Sequence, residues 1–483
     1  MSRTIPLLTL GLALAGPAHA RSLTVEQAVS VALEQDLGIE AAEAAELQAQ
    51  AEAQKALWSM FPSLKAAGGW TRLGSVPYVE FDTSAMYGGG DTTGTSTCDD
   101  ISEADLPVGW TLEMAVGMCQ MIMGWMTPTG PSEPVVIQMG LADNYFAQLT
   151  VEQVLFAGGA MHQARRATKD FHSASHEGLR FAQQQAAYTA EQLFFGVVMA
   201  RQAAAVTQQA QELVDAYTVT LSNMVEAGVA SRADLLAAQA RGSQAKLDAM
   251  KAAHGARLAE ATMKATLRLP MDEPLELLVG SDAPSALPAE RDRLLDLALR
   301  RRPELGQLDH TLDGLDHLAA ASWASWLPAV VVQGNMGWRN PNYALEQEWY
   351  RSADLTVAAS WTLWDRGVGL LGHKAAKASW AQLRAQREQV ARMLEIEVLM
   401  ALTSFDESLA QLGVARTGLE QAEESLRLEQ DRFEHGMVNN TELLAAQTAL
   451  SGARLAVLQA ETGIHLAHAA LRKAVGDEPE VSR

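Results

Sequence analysis

The second half of the chain repeats the order of motifs found in the first half, and this repetition restricts the possible folds more than any other feature. Residues 32–40 align with residues 298–306 at an offset of 266, and residues 153–159 align with residues 361–367 at an offset of 208. The pentapeptide Leu-Leu-Ala-Ala-Gln occurs at both 235–239 and 443–447. The repetition predicts two copies of one structural unit, at 21–280 and 281–483.

Each half contains residues with the periodicity of a long helix. The clearest example is predicted from about residue 372 to 432, and at 1.5 Å per residue it would extend roughly 90 Å. A helix of this length is unusual in a globular domain and typical of coiled-coil assemblies. Its apolar residues recur at spacings of three and four; they are Val390, Leu394, Val398, Ala401, Phe405, Leu409 and Leu412.

Three shorter segments alternate apolar and polar residues with period two, and a fourth is less regular and rich in small residues. Together they predict strands at about 64–74 (the less regular one), 144–155, 329–339 and 353–364. About ten residues suffice for a tilted strand to cross a bilayer, although a soluble half-buried sheet shows the same alternation. Four strands cannot close a barrel around a lumen, and lipid tolerates no open sheet edge. A membrane barrel therefore requires several copies of the chain, and three copies would supply twelve strands.

The first twenty residues have the pattern of a secretory signal peptide, with Arg3, an apolar stretch at 5–15 and the cleavage pattern Ala18-His19-Ala20. We therefore expect an exported protein. No other window of 18 or more residues is apolar and uncharged, so a membrane-spanning helix is not expected. The formal net charge of −21 is unfavourable for binding nucleic acid.

The two offsets differ by 58 residues, which predicts one insertion at about 75–140, in the first half only. Its glycine- and threonine-rich composition predicts an irregular loop. The insertion contains the chain's two cysteines, Cys98 and Cys119, which an exported protein can join in a disulfide. Methionines near Cys119 either fill gaps in packing or offer soft ligands for monovalent copper or silver; they are Met114, Met118, Met121, Met123 and Met126.

Four segments resemble the TolC-type outer-membrane efflux protein family: 23–33, 154–159, 228–236 and 436–444. The resemblance implies a mixed α and β fold, in which a homotrimer forms a 12-stranded antiparallel β-barrel, with four strands per chain. A long α-helical periplasmic tunnel would continue that barrel. The implied function is an outer-membrane efflux channel in contact with outer-membrane lipid, a periplasmic adaptor and an inner-membrane pump. The alternatives are a type I protein or peptide secretion channel served by a secretion ATPase, and a soluble periplasmic helical scaffold.

The resemblance also implies two functional regions at the tips of helical hairpins. Asp234 and Glu442 each lie six residues after a glycine and are the candidates for a periplasmic gate. The resemblance implies that the second tip, which carries Glu442, lies at the closed periplasmic end, where acidic residues form a constriction. Three copies of Glu442 would form a ring of negative charge. Alternatively, the carboxylates only cap helices, since Ser231-x-x-Asp234 fits a capping box. The residues expected to contact the adaptor are Gly228, Val229, Ser231, Gly436, Val438 and Thr441.

Other motifs favour structural roles. Residues 367–372 read G-x-G-x-x-G, but no returning parallel strand follows, so these glycines favour a turn rather than a dinucleotide site. His172 and His176 have the spacing of a metal pair on a helix, but no third ligand with suitable spacing follows, which favours a surface pair. No catalytic triad or phosphate-binding loop is apparent, so neither an enzyme nor a cofactor is expected.

Overall fold

The computed structural model describes residues 21–81, 98, 110–125, 135–280, 290–343, 345–435 and 440–477, so the predicted signal peptide at 1–20 lies outside the described residues. The chain divides into two compact units. The helical unit comprises the chain up to residue 60, residues 157–328, and the chain from residue 361. The sheet unit comprises residues 61–156 and 329–360.

Both units are built from elements that follow the predicted periodicities. The strands are β1 (Arg21–Leu23), β2 (Ser63–Arg72), β3 (Tyr78–Phe81), β4 (Val135–Gln138), β5 (Asp143–Ala157), β6 (Leu275–Leu277), β7 (Ala329–Asn340) and β8 (Tyr350–Ser360). The helices are α1 (Val25–Gln35), α2 (Leu37–Trp58), α3 (Leu112–Trp125), α4 (Ala160–Glu226), α5 (Arg232–Thr266), α6 (Arg291–Arg301), α7 (Pro303–Ser322), α8 (Val368–Glu434) and α9 (Asn440–Val475). None of the described helices has a stretch long and apolar enough to cross a membrane.

The helical unit contains two pairs of long helices, α4 with α5 and α8 with α9. Both α4 and α8 have 67 residues, and each begins at a glycine in the left-handed conformation, Gly159 (φ +82°) and Gly367 (φ +81°). Glycine adopts this conformation without the strain that a Cβ atom causes. Buried alanines on α4, such as Ala167 and Ala190, keep this surface narrow, so neighbouring helices can approach closely.

A buried arginine joins three parts of the helical unit at the boundary between α6 and α7. The side chain of Arg302 is 3% exposed and makes paired hydrogen bonds with Glu304 (2.6 and 3.0 Å) and Glu397 of α8 (3.1 and 3.2 Å). It also donates to the carbonyl oxygen of Lys473 in α9, at 2.8 Å. Its donors are therefore satisfied by three different segments, which compensates for the burial of its charge.

We expect Arg302→Ala to lower the free energy of unfolding by about 3 kcal/mol, because the buried ion-pair network loses its only cation and the carbonyl of Lys473 loses its donor. Glu304 and Glu397 retain some solvent contact, which keeps the loss near the low end for buried pairs. Arg300→Ala is the control, since the Arg300–Asp296 pair is exposed on both sides and should contribute at most about 1 kcal/mol. Unfolding followed by circular dichroism in detergent measures both; equal effects would contradict the expectation.

The sheet unit is organised around a four-stranded sheet in the order β2-β5-β7-β8. β2 pairs antiparallel with β5, with Ser63 opposite Glu152, and β7 pairs antiparallel with β8, with Ala329 opposite Ser360. The last strand ends at Ser360, four residues before the predicted limit of 364. Trp361 instead donates its indole N–H to the carbonyl of Trp326 at 3.1 Å, and the chain turns toward α8.

The insertion is more regular than its composition predicts. β3 and β4 pair as an antiparallel two-stranded ribbon, and α3 forms a 14-residue helix. The expectation of an irregular loop is therefore wrong for these segments, because their apolar residues outweigh the glycine-rich run at 82–97, which lies outside the described residues. Cys98 and Cys119 form a disulfide.

Candidate functional site

One face of the four-stranded sheet is apolar and exposed. The side chains that alternate onto this face include Leu64 (71% exposed), Trp70 (57%), Leu355 (74%) and Val357 (65%). Burial of a large apolar side chain is worth about 1.5–3 kcal/mol relative to exposure in water. A contiguous surface of this kind on a soluble protein usually marks an interaction site. Contact between this face and an apolar partner or solvent would therefore be favourable.

The opposite face of the same sheet is polar and hydrogen-bonded across strands. The Oδ1 atom of Asn335 in β7 accepts from Gln148 Nε2 (3.2 Å), Thr150 Oγ1 (3.0 Å) and Gln333 Nε2 (3.1 Å). Its Nδ2 atom donates to Asp354 Oδ2 of β8 at 2.9 Å. These residues hold their polar atoms toward one another over three neighbouring strands, an arrangement suited to a face in contact with water.

The edges of this sheet are the outer sides of β2 and β8. β2 pairs with β5 and β8 pairs with β7, and within the described parts of the chain neither edge strand has a second strand neighbour. Each edge therefore presents a row of backbone donors and acceptors that can pair with another strand.

The tip of the first helical hairpin combines a glycine-terminated helix with a capped one. α4 ends in a Schellman motif, in which Gly228 N–H bonds Val225 O (3.0 Å) and Val229 N–H bonds Met224 O (2.8 Å). Gly228 has φ +74°, which glycine accommodates. Ser231 then caps α5, since its Oγ accepts from the backbone N–H of Asp234 at 3.1 Å and donates to Asp234 Oδ2 at 2.6 Å. The capping role expected for this pair is thus observed, while the gating role of Asp234 stays a prediction.

The second hairpin tip is described only in part. Gly436 and Val438 lie outside the described residues, as does the side chain of Thr441. Glu442 lies in the first turn of α9 with an exposed side chain. The roles predicted for these residues, and the adaptor contacts predicted for Gly228, Val229 and Ser231, stay predictions.

A shared apolar core holds the two hairpins together near their tips. Tyr217 and Leu221 of α4 belong to the same buried cluster as Leu443 and Leu444 of α9. The Tyr217 ring meets Phe433 of α8 edge-on at 5.5 Å. Burial, and then the charge of Asp234, raises the pKa of Tyr217 to about 12, so the phenol stays neutral in this core. The structure therefore brings residues of both tips around one cluster.

The sequence did not point to a titratable cluster where α9 packs against α4 and α8. His465 stacks on Phe195 of α4 with ring centroids 4.5 Å apart, and His468 packs beside the buried Phe405 of α8 at 6.0 Å. Arg472 lies 3.7 Å from Glu191 of α4. The spacing of His465, His468 and Arg472 places them on one helical face, which is a signal present in the sequence. Their partners come from distant parts of the chain and could not be identified in this way.

Burial is the main influence on the charge of this cluster. It lowers the pKa of His465, opposed by nearby Glu461, and it lowers the pKa of His468, assisted by Arg472 and His465. It raises the pKa of Glu191, opposed by Arg472. The two imidazoles are therefore held neutral, and they line a cavity of about 400 Å³ with Thr24, Glu26, Glu191 and Arg472.

We expect acidification to destabilise the helical unit through these two histidines. A histidine whose pKa is lowered by folding contributes stability that is complete above its unfolded value of about 6.5 and is lost as the pH falls through its lowered value. The melting temperature should therefore fall between pH 7.5 and 5.5. In the His465→Phe/His468→Leu variant, which keeps apolar packing, this pH dependence should be smaller.

Thermal melting of the original protein and the double variant across this pH range measures the difference in pH dependence. His254→Phe, on the exposed surface of α5, is the control and should keep the pH dependence of the original protein. Glu191 acts with the opposite sign, since its raised pKa favours folding as the pH falls. An identical pH profile in the double variant and the original protein would refute the assignment.

The pair His172 and His176 meets an acidic residue that the sequence did not indicate. His176 Nδ1 lies 2.9 Å and His172 Nε2 lies 3.8 Å from the same carboxylate oxygen of Glu46 in α2. Among the residues that the structure describes, no group of three or more His, Cys, Asp or Glu side chains is placed to hold a metal ion. The hydrogen bond between His176 and Glu46 links α2 to α4.

Comparisons with known proteins agree with these observations. Residues 294–477 match the family model described as outer membrane efflux protein. Protein CyaE of Bordetella pertussis is 25% identical over 188 residues, which cover 38% of this chain and only 39% of CyaE. The resemblance to the TolC-type efflux family is thus confirmed.

Solved outer-membrane proteins share the fold. The Campylobacter jejuni CmeC outer membrane channel superposes with a TM-score of 0.74 at 14% identity, covering 95% of this chain and 87% of CmeC. The Vibrio cholerae outer membrane protein VceC gives 0.72 at 14% identity, covering 94% of this chain and 97% of VceC. At this identity the likeness establishes the fold alone.

Proposed function

We propose that this chain is the outer-membrane channel of a tripartite efflux system, which passively conducts substrates from an inner-membrane pump and a periplasmic adaptor to the exterior. The observation that carries the proposal is the four-stranded sheet with one exposed apolar face, one polar face and two open edges. The family-model match over residues 294–477 supports it. Export of proteins or peptides by a type I system would use the same channel with a different motor and cargo.

The two faces of the sheet fit lipid on one side and water on the other. Leu355 and Val357 would contact hydrocarbon, which removes the cost of exposing them to water. The network around Asn335 would face an aqueous lumen, as polar interior residues do in membrane barrels. A soluble periplasmic scaffold would leave the apolar face in water, and this disfavours that alternative.

The two open edges support a homotrimer. In hydrocarbon every backbone group must pair within the protein, so β8 of one copy must pair with β2 of another until the sheet closes. Three copies give a barrel of twelve strands. Within one copy, β5 and β7 run antiparallel, because Thr150 bonds Asn335 and the chain after β5, at Gly158, abuts Ala324 just before β7. The contact between copies is then antiparallel as well.

The paired helices support an internal duplication and a periplasmic tunnel. α4 and α8 have equal lengths of 67 residues, and α5 and α9 have 35 and 36 residues. In the proposed assembly the hairpins of three copies form the tunnel. Their tips, which include Gly228 to Ser231 and residues 436–441, contact the adaptor. Asp234 and Glu442 lie at the periplasmic gate.

Cross-linking between copies tests the closed barrel. A β2 residue on the polar face, Ala67, is changed to Cys and combined with a Cys at each position from 352 to 358. Within one copy β2 and β8 are three strand spacings apart, roughly 14 Å, too far for a disulfide. Oxidation of outer-membrane fractions should give cross-linked dimers and trimers with 352, 354, 356 or 358, which share the polar face.

Positions 353, 355 and 357 point to the apolar face and are the matched controls, because one residue along a strand reverses the face. We expect them to remain uncross-linked. Cross-linking that ignores this alternation would contradict the register, and a protein recovered entirely in the periplasmic extract would contradict the channel itself.

We expect Glu442→Ala to raise single-channel conductance in planar bilayers and to weaken cation preference. Three carboxylates in a ring attract cations and narrow the passage. Glu420→Ala, an exposed acidic residue within α8, is the control and should leave both quantities unchanged. If conductance and cation preference are the same in Glu442→Ala and the original protein, Glu442 has no role in the gate.

A further inference from the structure

The insertion carries a helix whose exposed surface is formed by methionines. In α3 the side chains of Met114 and Met121 are 58% and 67% exposed, and Met118 is half-buried. By contrast Ala115 on the same helix is 9% exposed. The helix therefore has a buried position at Ala115 and a side on which thioether groups are accessible.

Helix geometry places these three methionines on one face. At about 100° per residue, Met118 lies about 40° and Met121 about 20° around the axis from Met114. Residues three or four apart on a helix are neighbours, so Met118 is adjacent to both of the others. Methionine has three flexible side-chain bonds, which allow the three sulfur atoms to converge above Met118.

A glycine leaves room between the sulfur atoms. Gly117 is three residues after Met114 and four residues before Met121, so it lies on the same face between them. A Cβ atom built at Gly117 would meet no atom within 4 Å. The position beside Met114 and Met121 is therefore open, and a larger residue at 117 would place a side chain next to both of them.

The disulfide holds the other side of the helix. Cys119 lies about 140° around the axis from Met114, and it is bonded to Cys98. The sulfur atoms of the cysteines are thus already committed to each other, and the back of α3 is anchored covalently. The disulfide therefore lies away from the face formed by Met114, Gly117, Met118 and Met121.

We propose that Met114, Met118 and Met121 form a binding site for a soft monovalent cation of the copper(I) or silver(I) class. Thioether sulfur is a soft ligand that selects such ions over zinc, magnesium or calcium. The three thioether sulfurs supply three soft coordinating atoms on one helix face.

Titration of the detergent-solubilised full chain with silver nitrate, in chloride-free buffer, tests the site. Silver(I) needs no reductant, so the disulfide stays intact during the measurement. Calorimetry should show one site per chain that persists in the presence of excess Zn²⁺. Met118→Leu should weaken binding at least about tenfold, since it removes the central one of three soft ligands. The Met114→Leu/Met121→Leu variant should abolish binding at this site.

Two further variants separate the ligand role from general packing. Gly117→Leu keeps all three sulfurs but fills the open position, and it should also weaken silver binding while favouring the helix. Met250→Leu and Met271→Leu remove exposed methionines elsewhere and should leave the site unchanged. Unchanged affinity and stoichiometry in the Met114→Leu/Met118→Leu/Met121→Leu variant would overturn the proposal. The test does not depend on the proposed channel function.

Discussion

A backbone amide or carbonyl without a partner is costly in hydrocarbon, and the two open edges of the β2-β5-β7-β8 sheet impose this constraint on the whole molecule. The exposed apolar face, on which Leu64 and Leu355 lie, favours lipid, but lipid cannot satisfy the edges. Additional copies of the chain can satisfy both requirements together. The proposed trimer would then be a consequence of too few strands per chain rather than an independent property.

In the helical unit, the long helices must be held in register over many turns. Two kinds of contact keep them aligned. Apolar clusters, such as the one that joins Tyr217 to Leu443, bury side chains from both hairpins. Polar contacts act at particular positions. The side chain of Arg302, for example, forms hydrogen bonds with α8, with α9 and with Glu304 at the start of α7. The neutral imidazoles of His465 and His468 occupy positions between helices where a charge would be costly.

Much of the local structure can be predicted from the periodicity of apolar residues and from the positions of glycines in the sequence. Period-two alternation predicts strands where β5, β7 and β8 lie, a less regular pattern predicts β2, and the glycine at 228 predicts the end of α4. Strand ends depend on contacts from elsewhere, as when the indole of Trp361 bonds the carbonyl of Trp326. Composition gave the wrong result for α3, because the glycines and threonines around it masked a short apolar helix.

The candidate sites divide in the same way. The cap formed by Ser231 and Asp234 is local, so spacing predicts it. The partners of His465 and Arg472, and the carboxylate of Glu46 beside His176, come from distant segments and carry no local signal. The pairing of Cys98 with Cys119 was open in the sequence and is settled by the fold.

The repeated Leu-Leu-Ala-Ala-Gln segments now occupy unlike surroundings. Leu236 is 57% exposed, whereas Leu444, its counterpart, is 9% exposed within the core shared by the hairpins. Truncating Leu444 would open a cavity, a change that typically costs about 2–5 kcal/mol, but the same change at Leu236 removes only surface. The segment at 235–239 should therefore tolerate substitution of its second leucine more readily than the segment at 443–447, although the two segments have the same sequence.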